Sequence, residues 1–193
     1  MSRLPVVSSV RLPFLLLPAM SALLLGACAS GPQTASEQQP PPPEPREIAA
    51  IGTHTNAVAN LASASGSLVS GRMLLTATGD GVRVRGQVGG LVPHGAHGLQ
   101  VHERGNCSAV DARSAGRYYD PLAGARQDGA VGENPGRIVA DADGVATVDM
   151  TVRGAVLGGG SDNDILGRSL LVLGATPGAI SARVACGVIT ASK

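Results

Sequence analysis

Few residues in this chain are equipped for chemistry. There are four histidines (His54, His94, His97 and His102) and three cysteines (Cys28, Cys107 and Cys186); besides Phe14, the only aromatic residues are the adjacent Tyr118 and Tyr119. Imidazole and thiolate are the side chains most used for metal ligation and nucleophilic or acid–base catalysis. Serine, threonine and aspartate are plentiful, yet no Ser-His-Asp arrangement is identifiable, because the candidate histidines fall on or beside expected strands with other roles. The Gly158-Gly159-Gly160 run lacks a following Lys-Ser/Thr and precedes no βα unit, so it reads as a loop and not a phosphate cradle. A net charge of +1 and the scarcity of aromatics argue against nucleic acid and against aromatic cages for methylated cations.

Short strands must position these groups. Of the 193 residues 44% are hydrophobic and 15% charged, with 27 glycines and 13 prolines: a turn-rich aliphatic chain with room for one domain of common size. Val82, Val84 and Val88 alternate with Arg83, Arg85 and Gln87, and Ala146, Val148 and Met150 with Thr147, Asp149 and Thr151. That is the period of a half-buried strand. Thr78-Gly79-Asp80-Gly81 and Asp141-Ala142-Asp143-Gly144 are tight hairpin signals. Strands are expected around 57–63, 72–78, 82–88, 98–103, 137–141, 145–152, 169–173 and 182–189, with one turn over 162–166, so the fold class is an all-β sandwich or barrel. Residues 107–137 carry no strand pattern, and loops of that length inside a compact domain are usually functional or disordered.

Residues 1–27 read as an export signal. Arg3 and Arg11 give the positive start, and the apolar stretch from Leu12 to Leu25, broken by Pro13 and Pro18, is too short to span a membrane comfortably. Leu25-Gly26-Ala27-Cys28 resembles the bacterial lipobox, in which small residues precede a cysteine that is acylated before cleavage. Cys28 is therefore the expected lipidation site, against an ordinary signal peptide cut near Ala27 or Ala29. No Asp follows Cys28, so the expected address is the periplasmic side of the outer membrane. Residues 28–50 are the expected linker, in which Gly31 to Glu47, rich in Pro, Gln, Ser and Glu, predicts a semi-rigid spacer of about 50 Å at most, and 51–193 the folded domain. Acylating Cys28 leaves Cys107 and Cys186 to pair in an oxidising periplasm. Such a bridge would contribute about 4 kcal/mol at most and tether the long loop to the last strand.

The segment Gly95-Ala96-His97-Gly98-Leu99-Gln100-Val101-His102-Glu103, followed by Cys107, resembles the copper/zinc superoxide dismutase family. Ser114-Ala115-Gly116-Arg117-Tyr118-Tyr119-Asp120-Pro121 is similar to that family's Gly-His-Phe-Asn/Asp-Pro stretch, and Ala182-Arg183-Val184-Ala185-Cys186-Gly187-Val188-Ile189 to its C-terminal signature. Asp141–Gly144 and 163–171 fall in the expected order between them. The resemblance covers about residues 57–190 and implies an eight-stranded Greek-key β-barrel with one long disulfide-tethered loop.

Function belongs to the site and not to the fold. The family's activity needs a copper that cycles between oxidation states, held by several imidazoles, with zinc held beside it by histidines and a carboxylate. Carried over position by position, the His-x-His of the first motif strand is here Gln100-x-His102, the metal-bridging histidine falls on Tyr118 and the fourth copper ligand on Leu173. The zinc histidines fall near Gln127 and Ala130 and the zinc aspartate near Glu133, with Asp128 available for one position; the loop holds no histidine. His102 is thus the sole retained copper-ligand position. Arg183 stands at the channel arginine that attracts superoxide, where an arginine can equally hydrogen-bond carbonyls of the disulfide-bearing loop. His97 matches a histidine that bonds barrel backbone, Tyr119 matches a packing phenylalanine, and Gly174 to Ser181 replaces a longer charged channel segment.

The resulting expectation is a superoxide dismutase-like envelope lipoprotein domain, catalytically inactive, with no cofactor and a structural or binding role. The alternatives are a dismutase with a reduced or unusual metal site, and iron or haem binding through Tyr118 and His102, since tyrosinate is a good Fe(III) ligand. Expected partners are the membrane through Cys28 and a protein or small ligand of unassigned identity, with no nucleic acid and the oligomeric state left open.

Overall fold

The computed structural model describes residues 45–126, 136–174 and 182–192; Cys28, Gln127, Ala130 and Glu133 lie outside the described residues. Among the described residues, apart from one 3-10 turn at Arg113–Ala115, the regular structure is extended. β1 (Asn56–Ser63), β2 (Ser70–Thr78), β3 (Gly81–Gly89) and β8 (Ala146–Arg153) pair in the order β1-β2-β3-β8. Their period-two pattern decides which side each residue takes. Met73, Leu75, Val82, Val84, Val88 and Val148 are buried, while Arg72, Arg85, Gln87, Thr147 and Asp149 are exposed. Thr78 pairs with Gly81 across the two-residue Gly79-Asp80 loop, so the first hairpin forms as its sequence specifies.

The sheet continues from β1 through β10 (Arg183–Ala191) and β9 (Ser169–Leu173) to β4 (Ala96–His102), with β7 (Arg137–Val139) also pairing β4. Every ladder among the described residues is antiparallel, and the non-sequential neighbours are the crossovers of a Greek key. These eight strands coincide with those read from the sequence and curl around one core. The compact unit Glu44–Lys193 contains that core, all the described ladders and the Cys107–Cys186 disulfide, whose Cα atoms are 5.8 Å apart.

Three features differ from the sequence reading. The stretch 107–137 contains a small hairpin, β5 (Tyr118–Asp120) with β6 (Gly124–Arg126), whose three-residue strands are too short to show a period. The Asp120 carboxylate accepts the N–H groups of Leu122 and Ala123 and so caps its turn. The Asp141–Gly144 turn also forms, with the Asp141 carboxylate accepting from Asp143 and Val145, yet it closes no hairpin: β7 pairs β4 and β8 pairs β3. Turn chemistry bends the chain without choosing strand partners. Finally, residues 46–49, assigned to the spacer by composition, hydrogen-bond along the loop at 162–163. Glu47 N–H donates to the Asp162 carboxylate, Ala49 N–H to the Asn163 side chain, and Asn163 Nδ2 back to Ala49 O.

β4 and β9 are buried on both faces, which explains their nearly unbroken apolar runs. One face holds Leu99, Val101, Leu170 and Val172 against the core. The other carries Gly98, Gln100, His102, Leu171 and Leu173. Leu171 packs there with Ala112, Ala115 and the disulfide, beneath the tethered loop.

Candidate metal centre

Strand alternation and register assemble this second face. On β4, Gly98, Gln100 and His102 point the same way. β9 places Leu173 opposite Gly98, Leu171 opposite Gln100 and Ser169 opposite His102. β5 places Tyr118 opposite His102, and β10 places Arg183 opposite Leu173 and Cys186 opposite Leu171. The described positions that the resemblance set at copper ligands and at the channel arginine thus share one face. Its centre is buried, with His102 1% exposed, Gln100 3% and Leu173 6%, while Tyr118 and Arg183 at its margin are half-buried. Leu173 lies against Gly98, its side chain 3.3 Å from where a Cβ would stand there.

Hydrogen bonds fix the polar members. His102 Nδ1 lies 3.0 Å from the carbonyl of Gly116; a carbonyl only accepts, so Nδ1 is the protonated nitrogen. Arg183 donates to Ala112 O at 2.9 Å and Gly116 O at 2.7 Å, so this guanidinium fastens the disulfide-bearing loop to β10. His97, on the core side of β4, donates from Nδ1 to Leu173 O at 3.0 Å, the backbone role expected of it. Gln100 Nε2 is buried without a hydrogen-bond partner.

Further groups frame the face that sequence reasoning did not single out. Glu103 accepts the backbone N–H of Arg117 at 2.7 Å and its guanidinium at 3.1 Å, and these bonds, the side-chain one first, hold its pKa below the usual glutamate value. Arg168 stacks 3.6 Å over the ring of buried Tyr119 and donates to Asp164 O and Glu103 O, while Arg46 donates to the Tyr119 hydroxyl at 3.1 Å. Tyr119 occupies the core position expected of it, clasped by two arginines whose distance along the chain left no local signal.

A family model for copper/zinc superoxide dismutase matches residues 69–189. The chain belongs to the copper/zinc superoxide dismutase family. Two similar proteins are Superoxide dismutase [Cu-Zn] 2 of Mesembryanthemum crystallinum and the Extracellular superoxide dismutase [Cu-Zn] of Haemonchus contortus. The first is 32% identical over 123 residues, covering 55% of this chain and 76% of that protein; the second is 35% identical over 131 residues, covering 60% and 70%.

Membership raises copper and zinc as cofactors, and the donor set answers for copper. A superoxide dismutase copper needs a cluster of imidazoles. This member of the family presents an amide, one imidazole, a phenol and a hydrocarbon at Gln100, His102, Tyr118 and Leu173. Among the described residues no group of three or more His, Cys, Asp or Glu side chains is arranged to hold a metal. Leu173 offers no lone pair, and Gln100 brings an amide, buried and with its nitrogen unpartnered, in place of an imidazole. The described residues do not fit the family's copper.

Proposed function

We propose that this superoxide dismutase-fold domain performs no copper-based dismutation and serves the cell envelope in a structural or binding capacity, held to the outer membrane by acylated Cys28. The observation that carries the reading is the buried β4–β9 face, where Gln100 and Leu173, the residues that the resemblance sets at ligand positions, lie almost fully enclosed and Leu173 packs against Gly98. Arg183, the remaining channel-type residue, is engaged with two loop carbonyls and so has a structural task independent of any anion. The envelope assignment is supported by the leader, the lipobox-like Leu25-Gly26-Ala27-Cys28 and the proline-rich spacer. Refolding the protein in copper and zinc and following superoxide decay tests the catalytic half: the expected rate is that of buffer, and rapid decay proportional to protein would sink the reading. Metabolic labelling with a clickable fatty acid tests the anchor, with label expected on the parent and lost in Cys28→Ser.

A second reading is favoured by one observation: β5 sets Tyr118 directly opposite His102. A phenolate beside an imidazole suits Fe(III) or haem iron better than a cycling copper. Titration with Fe(III) or haemin distinguishes it. A charge-transfer band that disappears in Tyr118→Phe supports iron binding here, and a spectrum identical in parent and variant removes it.

A further inference from the structure

The outer face of β2, β3 and β8 is remote in function from the β4–β9 face and has an unusual charge balance. For a chain of net charge +1, its strands carry Arg72, Arg83, Arg85 and Arg153 and one carboxylate, Asp149. Arg83 grips Asp149 through Nε at 2.8 Å and Nη2 at 2.7 Å, and Arg85 shares the same carboxylate at 3.2 Å. One negative charge divided between two guanidiniums leaves an excess of positive charge. Arg72 and Arg153 have no ion-pair partner among the described residues.

Between Arg72 and Arg85 runs an open groove of about 610 Å³, floored by Gly86 and Val148 and flanked by Gln87 and Thr147. Any Cβ at Gly86 would strike the Arg72 carbonyl and crowd the buried Met73 side chain, so glycine lets β2 and β3 approach closely beneath the groove. Apart from the already paired Asp149, the polar side chains around the groove are hydrogen-bond donors, and two of them are cationic: the chemistry of a site for a phosphate oxyanion. Leu74 pairs across the ladder with Arg85 and is 54% exposed, an apolar side chain set among cations.

We propose that this sheet face rests on an anionic phospholipid surface, with one headgroup phosphate in the Arg72–Arg85 groove and Leu74 at the headgroup boundary. The open face, instead of a deep cleft, suits a partner that presents phosphates in a plane, and the exposed leucine suits an interface with an apolar layer beneath. A soluble polyanion would use the arginines and have no use for Leu74.

The test uses purified Glu44–Lys193, the self-contained unit, which lacks Cys28; the result is therefore independent of whether that residue is acylated. Sedimentation with vesicles of phosphatidylethanolamine and phosphatidylglycerol is compared with phosphatidylcholine vesicles. Binding is expected only with phosphatidylglycerol and should weaken with salt. Arg72→Gln with Arg85→Gln should reduce partitioning about thirtyfold, from the usual contribution of two cations at an anionic surface. Arg72→Lys with Arg85→Lys should keep it within about threefold of the parent, and unchanged unfolding midpoints confirm that each variant folds. Equal binding to both vesicle types, indifference to the glutamine pair, or binding to inorganic polyphosphate without vesicle binding would each overturn the proposal.

Discussion

Replacing Arg183 separates two meanings of one side chain. In the structure its guanidinium spans from β10 to the carbonyls of Ala112 and Gly116, and Gly116 O also receives His102 Nδ1. Removing it leaves partly buried carbonyls without their charged donor. Charge-assisted hydrogen bonds contribute about 1.5–3 kcal/mol each, but two made by one guanidinium do not add fully, so Arg183→Ala should cost about 3 kcal/mol. For a domain of this size that corresponds to a fall in Tm of about 10 °C. A lysine cannot fork to both carbonyls, so Arg183→Lys should recover less than half of the loss. Thermal unfolding followed by far-ultraviolet circular dichroism, with the disulfide kept oxidised, measures both variants. If alanine leaves Tm within about 2 °C of the parent, the loop-fastening role is wrong. If lysine restores it fully, what matters at 183 is charge and not the forked geometry.

Other consequences are open to measurement. The Cys107–Cys186 bridge closes a separation of 79 residues, so the double serine variant should lose up to about 4 kcal/mol in urea unfolding; a loss below about 1 kcal/mol would mean that the loop is held without it. The bonds from Arg117 lower the pKa of Glu103, so Glu103 contributes stability above the ordinary glutamate pKa of about 4.3 and loses it as pH falls through the lowered folded value. Glu103→Gln should therefore flatten the acid limb of the stability curve and leave its shape near neutrality alone, and an unaltered acid limb would contradict the assignment. Any Cβ at Gly105 would strike the Gly167 carbonyl, so Gly105→Ala should cost about 1–3 kcal/mol by forcing the backbones apart, and a variant as stable as the parent would show that the two segments yield freely.

The strands were legible where burial is one-sided. Arg83-Val84-Arg85 writes its orientation into the sequence, and Gly79-Asp80 fixes the β2–β3 register. β4 and β9 carry no such alternation, because the tethered loop buries their second face, and only the family resemblance gave those positions meaning. The β5–β6 hairpin escaped notice because its strands are shorter than a recognisable period. Asp141 announced a turn correctly and its partners wrongly, since a corner and a hairpin share the same local hydrogen bonds. Arg46, which reaches Tyr119 from 73 residues away, could not be inferred from composition, because topology alone brings that proline-flanked segment against the loop. The replaced positions were read through the resemblance alone; what the structure adds is that Leu173 is buried against Gly98, a hydrocarbon that offers no lone pair wherever it lies.

Copper bound per chain, measured by elemental analysis after refolding in excess metal and exhaustive dialysis, tests the account most directly. The comparison is with Gln100→His/Tyr118→His/Leu173→His, which would place three more imidazoles on the face that holds His102. The expected result is no copper retained by the parent and copper retained by the triple variant, with Leu173→His alone insufficient. Stoichiometric copper on the unaltered chain, together with superoxide decay that scales with it, would contradict the proposal that this domain performs no copper-based dismutation.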